Sequence, residues 1–68
     1  MEILLNGSAR ELSDGATVEA AVESLGVPGG GRGVAVAVDG EVVPRGEWAA
    51  TALRAGQRIE VLQAVQGG

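Results

Sequence analysis

The sequence predicts an α+β fold in which one main helix packs on one face of a mixed sheet of about five strands. Two features predict it. The pairs Asn6-Gly7 and Asp39-Gly40 each separate short aliphatic segments, which is typical of tight β-hairpins. Between them, apolar residues recur at positions 18, 21, 22 and 25, the spacing of one helix face. Because the apolar faces of a helix and a sheet are buried against one another, a two-layer arrangement follows.

The first half of the chain is predicted to contain a hairpin followed by the helix. Residues 1–5 form an apolar strand, and the Asn6-Gly7 pair suits a turn whose two central positions need positive φ. Residues 8–12 form the returning strand. Thr17 is the expected N-cap, and Glu19 lies in the first turn, where the helix dipole favours an acid. Gly26 follows the last apolar position and suits a left-handed helix end.

A second hairpin follows a glycine-rich loop. Residues 27–33 contain a proline and four glycines and are expected to form a loop. Residues 34–38 alternate valine with alanine, which predicts a strand with one bulky face. After the Asp39-Gly40 turn, residues 41–43 return, and Pro44 ends the strand because it cannot donate to a ladder.

The last part of the chain is predicted to contain one more strand. Residues 45–57 are expected to be irregular, with Trp48 and Leu53 anchored in the core. A turn then leads into a strand from residue 58 to about residue 65. Since a chain of 68 residues allows one domain, residues 1–65 are expected to form it, and residues 66–68 a flexible tail.

Composition and charge exclude several classes of function. The formal net charge is −4, from nine acidic and five basic residues, so nucleic acids and anionic membranes are poor partners. No apolar run approaches the roughly 20 residues needed to cross a bilayer. The N-terminal segment lacks the pattern of a signal peptide, so the cytoplasm is the expected location. Without cysteine or histidine, no structural zinc or other metal site is expected.

The side chains needed for autonomous catalysis are missing. The chain has no histidine, cysteine or tyrosine, so the usual nucleophiles and near-neutral bases are absent. Ser8, Ser13 and Ser24 have no base to activate them. The glycines of residues 29–33 do not match a phosphate-binding loop and precede a strand rather than a helix. We therefore expect no enzyme activity and no bound cofactor.

The C-terminus is the remaining candidate for reactivity. Gln66, Gly67 and Gly68 can extend roughly 10 Å, and glycines can enter a narrow channel in a partner enzyme. The ionised carboxylate of Gly68 is a poor acylating group. Adenylation would make it electrophilic, and a sulfur nucleophile could then displace AMP to leave a thiocarboxylate. An ordinary frayed chain end is the alternative interpretation of this glycine pair.

Several segments together resemble a known family. They are ILLNG at residues 3–7, GATV at 15–18, VAVDGEVVPR at 36–45 with Trp48 three residues on, IEV at 59–61 and AVQGG at 64–68. This pattern resembles the ThiS family, the sulfur carriers of thiazole formation in thiamine biosynthesis. The resemblance implies a ubiquitin-like β-grasp fold in which the first and last strands are parallel neighbours.

The resemblance also implies reaction partners. A ThiF-type enzyme would consume ATP to adenylate Gly68, and a cysteine desulfurase or another donor would supply sulfur. The resulting thiocarboxylate would deliver sulfur to a ThiG-type thiazole synthase. Gln57 departs from the family, in which many members have aspartate after the preceding glycine. This departure is expected to alter only a turn.

A docking surface is expected close to the tail. Because the helix covers one sheet face, apolar side chains on the other face are partly exposed, and Leu62, Ala64 and Val65 are candidates for a patch that docks a partner. Ordinary surface apolarity is the alternative. Arg45 could pair locally or touch a partner.

Alternatives to a thiamine sulfur carrier stay open at the level of sequence. The terminal glycine pair is shared with the small subunit of molybdopterin synthase and with ubiquitin. A molybdopterin-type carrier, a protein-conjugated tag and an interaction domain are therefore the competing interpretations.

Overall fold

A mixed five-stranded sheet with an α-helix on one face organises the part of the chain that the structure describes. The structure is a computed structural model, and it describes residues 1–27 and 32–63. The strands are β1 Glu2–Leu5, β2 Ser8–Glu11, β3 Val34–Val38, β4 Glu41–Val43 and β5 Arg58–Gln63; the helices are α1 Val18–Ser24 and a 3₁₀-helix, Arg45–Ala50. The predicted α+β fold class is confirmed.

The strand order places the last strand in the centre of the sheet. The order is β2-β1-β5-β3-β4. Strands β1 and β5 are parallel, with Leu4 opposite Arg58, and the other neighbours are antiparallel. The parallel pairing of the first and last strands, which the family resemblance implied, is therefore present, and the sheet has the β-grasp arrangement.

Both predicted hairpin turns have the backbone that their sequences favour. Asn6 and Gly7 have φ of 51° and 83°, and Asp39 and Gly40 have φ of 50° and 84°. Positive φ at both central positions is the geometry that matches the twist of two paired strands. Each turn fixes the register of its hairpin, so that Leu5 pairs with Ser8 and Val38 with Glu41.

Helix α1 begins where the sequence predicts. The Ala20 N–H donates to Thr17 Oγ1 at 3.3 Å, which confirms Thr17 as the N-cap. The helix ends at Ser24, and Leu25 is its C-cap rather than its last helical residue. Gly26 follows with φ of 66°, the left-handed conformation expected there.

The core lies between α1 and the sheet face beneath it. Its buried apolar residues are Ile3, Leu5, Val18, Ala21, Val22, Val36, Trp48, Leu53, Ile59 and Val61. Trp48 and Leu53 are each 3% exposed, so both predicted anchors are confirmed.

The segment expected to be irregular contains the 3₁₀-helix. Trp48 is its one buried residue, and the Trp48 Nε1–H donates to the Val43 carbonyl at 2.9 Å. A short 3₁₀-helix with a single buried residue has no apolar repeat, so periodicity could not indicate it.

Some predicted boundaries cannot be compared with the structure. The extension of the last strand to residue 65, the tail at residues 66–68 and most of the glycine-rich loop lie outside the described residues. Neither helix in the described ranges has the length and apolarity needed to span a membrane.

Candidate functional site

The residues expected to carry the chemistry follow strand β5. Ala64, Val65, Gln66, Gly67 and Gly68 lie outside the described residues, so their predicted roles remain predictions. The structure instead defines what precedes them: a central strand with β1 on one side and β3 on the other.

The middle of β5 is fixed by a side chain from the first hairpin. The Val61 N–H donates to Asn6 Oδ1 at 2.8 Å, and Asn6 Nδ2 donates to the Val61 carbonyl at 3.3 Å. The backbone N–H of Asn6 also donates to the Ile59 carbonyl at 2.9 Å. The Asn6 amide therefore continues the β1–β5 ladder beyond the point where β1 ends.

The start of β5 is fixed by the second hairpin. The Arg58 N–H donates to Asp39 Oδ1 at 2.9 Å, and the Asp39 N–H donates to the Arg58 carbonyl at 2.7 Å. Gln57, which departs from the family pattern, donates through Nε2 to Asp39 Oδ2 at 3.4 Å and accepts the Arg54 N–H at 2.7 Å. The strand that leads to the C-terminus is thus held at its start and in its middle.

An apolar surface lies on the sheet face opposite α1. Leu62 is 68% exposed and Val42 is 72% exposed, and the small side chains of Ala35 and Ala37 lie between them in the cross-strand pairs. A shallow depression of about 110 Å³ is lined by Ala35, Val36, Ala37, Val42, Glu60 and Leu62. We call Ala35, Ala37, Val42 and Leu62 the open-face patch.

Comparison with known proteins identifies the family. The model of the ThiS family matches residues 3–68. The chain is 34% identical over its full length to the full length of sulfur carrier protein ThiS of Escherichia coli. This chain belongs to the ThiS family. The crystal structure of the thiamine biosynthesis protein ThiS of Geobacter metallireducens superposes with a TM-score of 0.82 at 27% identity, and all of both chains is covered.

A second relative of this ThiS-family chain is much longer. The chain is 37% identical over its 68 residues to a thiazole synthase of Paramagnetospirillum magneticum. The match covers 100% of this chain and 20% of that protein, so the chain spans about a fifth of the length of that relative.

Polar side chains in the described part of this ThiS-family chain are not buried and do not cluster as metal ligands. None of its buried residues is polar or charged. Among residues 1–27 and 32–63, no three histidine, cysteine, aspartate or glutamate side chains come together as metal ligands would. The side chains of Asn6 and Asp39 bond to strand β5, which precedes the C-terminal segment in the chain.

The α-amino group of Met1 has a raised pKa in the folded chain. Its ammonium donates to the Leu12 carbonyl at 2.7 Å and lies 2.9 Å from Glu11 Oε2 and 3.3 Å from Asp14 Oδ1. The hydrogen bond to Glu11, followed by that to Asp14, raises the pKa of this amine above its ordinary value of 8.0, although partial burial opposes the shift.

A groove separates α1 from the 3₁₀-helix on the side away from the open-face patch. It is lined by Glu19, Val22, Glu23, Gly26, Val27, Arg45 and Trp48. The guanidinium carbon of Arg45 lies 6.0 Å from the centre of the Trp48 ring, the range of a cation–π contact. Of the two roles that the sequence left open for Arg45, the structure shows the local one.

Sequence reasoning missed two features near the ends of the chain. The Asn-Gly pair predicted a turn, but not that the Asn6 side chain would reach Val61, because that contact depends on the β1–β5 register. Glu11 ends the second strand of the first hairpin and Asp14 lies three residues further on, and only the pairing of that hairpin brings both acids to Met1.

Proposed function

We propose that this ThiS-family chain is a sulfur carrier for thiazole formation in thiamine biosynthesis. The Gly68 carboxylate attacks the α-phosphorus of ATP to form an acyl-adenylate and release diphosphate. Hydrosulfide from the donor then attacks the acyl carbon, the bond to AMP breaks, and loss of the proton leaves a thiocarboxylate that carries sulfur to the acceptor. Where the donor is a persulfide, the attack gives an acyl disulfide, and a thiol must reduce its S–S bond to release the thiocarboxylate. The chain is not itself an enzyme; it is the co-substrate of enzymes that bind it, and ATP is consumed by the adenylating partner.

The family match through the terminal glycines is the observation that carries this proposal. It extends to residue 68, and the E. coli relative, aligned over its whole length, is named a sulfur carrier protein. A scaffold without buried polar side chains in its described part is consistent with reactivity that belongs to the main-chain end. The central position of β5 supports it too, because a rigid strand presents the segment that follows.

One proposed partner is supported by a relative of this chain, and the others are supported by the chemistry that the proposal requires. A thiazole synthase of P. magneticum contains a region like this chain, and such a region within one polypeptide favours a ThiG-type thiazole synthase as the acceptor. A ThiF-type adenylating enzyme and a cysteine desulfurase or another sulfur donor are proposed on the chemistry alone, since the carboxylate must be activated and sulfur must be supplied.

We further assign partner docking to the open-face patch together with Ala64 and Val65. Leu62 is 68% exposed, so Leu62→Ala is expected to change the free energy of unfolding by less than about 0.5 kcal/mol. The same substitution is expected to lower kcat/KM for adenylation. Glu19→Ala on the exposed side of α1 is the matched control and is expected to leave adenylation unchanged. Equal rates for both variants would argue against this surface.

The test of the function is the intact mass of the chain. After incubation with ATP, a ThiF-type enzyme and a sulfur donor, the expected mass corresponds to one oxygen replaced by sulfur, with the change mapped to Gly68. Deletion of Gly68 is expected to leave the circular dichroism spectrum unchanged and to abolish AMP formation at the terminus. Normal adenylation of the truncated chain would contradict the proposal.

Two outcomes would favour the competing functions. Rescue of a strain that lacks molybdenum cofactor, without rescue of a thiamine-requiring strain, would assign the chain to molybdopterin. Adducts of the chain on lysines of other proteins would indicate a conjugated tag.

A further inference from the structure

Once Gly68 is adenylated, its activated carboxyl can react with amines of other molecules of the same chain. This inference rests on the proposed function. An acyl-adenylate reacts with amines as well as with sulfur nucleophiles. In that side reaction the amine nitrogen attacks the acyl carbon, a C–N bond forms, the bond to AMP breaks and the nitrogen loses a proton. The product is an amide, which cannot deliver sulfur.

The 68 residues contain few groups able to start this reaction. All five basic residues are arginines, so the chain has no lysine, and it also lacks cysteine, histidine and tyrosine. A guanidinium stays protonated at any physiological pH and does not act as a nucleophile. The hydroxyls of serine and threonine need an activating base. The α-amine of Met1 is therefore the single amine in the sequence.

We infer that Glu11 and Asp14 determine the specificity of the activated carboxyl for sulfur, by holding the chain's single amine in a form that cannot attack it. An ammonium has three N–H donors. At Met1 they face three acceptors: the Leu12 carbonyl at 2.7 Å, Glu11 Oε2 at 2.9 Å and Asp14 Oδ1 at 3.3 Å. Attack requires loss of one of these protons and movement of the resulting lone pair away from the acceptor that it faced.

The Met1 amine is also too far from the C-terminus of its own molecule to react with it. Gly56 N–H donates to the Glu2 carbonyl and Leu4 pairs with Arg58, so Met1 lies level with about residue 55. At about 3.3 Å per residue, the end of β5 at Gln63 is roughly 26 Å further along the sheet. Five residues follow Gln63, and they reach at most about 18 Å. The reaction to be suppressed is therefore attack by the amine of a second copy.

The test uses the untagged chain with ATP and a ThiF-type enzyme at pH 8, without a sulfur donor, so that the adenylate persists. We expect the wild-type chain to give no amide-linked dimer by intact mass. The variant that carries both Glu11→Gln and Asp14→Asn is expected to accumulate a Gly68–Met1 amide, which intact mass detects and peptide mapping locates. A variant with both Glu19→Gln and Glu23→Gln has the same net charge and is expected to behave as wild type.

A second arm adds an amine elsewhere. Arg54→Lys keeps the charge at an exposed position whose side chain has no hydrogen bond in the described structure, and it is expected to give chain–chain amides at residue 54 at pH 9. Hydroxylamine added to the wild-type reaction is expected to trap Gly68 as the hydroxamate, which shows that amines reach the adenylate.

Each contrary result has a distinct meaning. Amide dimers of the wild-type chain, or none from the variant with Glu11→Gln and Asp14→Asn, would overturn the inference while the adenylate itself supports the proposed function. Failure of hydroxylamine to trap the adenylate would also overturn it, because the partner enzyme would then provide the protection. If no diphosphate is released, the proposed function fails and the inference fails with it.

Discussion

At Asn6, a backbone requirement and a side-chain requirement meet in one residue. Its φ of 51° is a conformation that most residues with a Cβ avoid, and its amide makes two hydrogen bonds to the backbone of Val61, 55 residues away. Glycine would satisfy the first requirement and alanine neither. The two substitutions therefore separate the two contributions.

We expect Asn6→Gly to lower the free energy of unfolding by about 1–2 kcal/mol, because the Val61 N–H and carbonyl both lose their partner. Asn6→Ala loses the same bonds and also places a Cβ at positive φ, so it is expected to cost about 1 kcal/mol more. Urea unfolding followed by Trp48 fluorescence measures both. If Asn6→Gly is as stable as wild type, the amide does not hold β5.

At the scale of single elements, the 3₁₀-helix depends on Trp48. The ring is 3% exposed, and its Nε1–H is the partner of the Val43 carbonyl, at the end of β4. The element has no cap from a side chain at Pro44, so packing of this ring and its hydrogen bond are what tie the segment to the sheet.

Trp48→Phe is expected to lower the free energy of unfolding by about 2–4 kcal/mol, since it leaves a cavity and an unpaired carbonyl. Urea unfolding followed by circular dichroism measures the loss, because the variant has no tryptophan. Val42→Ala, at a side chain that is 72% exposed, is the control and is expected to change stability little. Similar values for the two variants would contradict this role of Trp48.

The elements differ in how far the sequence could predict them. Helix α1 and strand β3 were predictable because each combines periodic apolar residues with a local cap or turn, at Thr17 and Asp39. Strands β2 and β4 were predictable because each returns from a tight turn. The 3₁₀-helix was not, since one buried Trp48 gives no period. The bonds between Asn6 and Val61 depend on register between distant segments. Gly68 was chosen by elimination of side-chain chemistry, and it lies outside the described residues.

For the whole molecule, the composition leaves a single group, the Met1 amine, that ordinarily titrates at mildly alkaline pH. No lysine, tyrosine, cysteine or histidine is present, and arginine stays protonated, so the Met1 amine is the one group in the sequence whose ordinary pKa lies near 8.0. Its pKa is raised in the folded chain, chiefly by the hydrogen bond to Glu11. The folded state therefore binds the proton more tightly than the unfolded state.

Because proton binding and folding are linked, the raised pKa of the Met1 amine sets the direction in which stability changes with pH. The contribution of this amine to stability is fully present below its unfolded pKa of about 8.0 and is lost as pH rises through the higher folded value. Urea midpoints are expected to stay level from pH 7 to 8 and to fall above that. The variant with both Glu11→Gln and Asp14→Asn is expected to show a flatter profile. A wild-type midpoint that rises with pH would contradict this assignment.

The central place of β5 has a mechanical consequence. An enzyme that draws the C-terminal residues into its interior pulls along the axis of a strand bonded to β1 on one side and β3 on the other. A force in that direction acts on the hydrogen bonds to both neighbouring strands at the same time. A force that peels a strand from the edge of a sheet would instead break its hydrogen bonds one after another. The C-terminal segment therefore follows a strand that is bonded on both sides, and we expect this pairing to favour resistance of the fold to a pull on that segment.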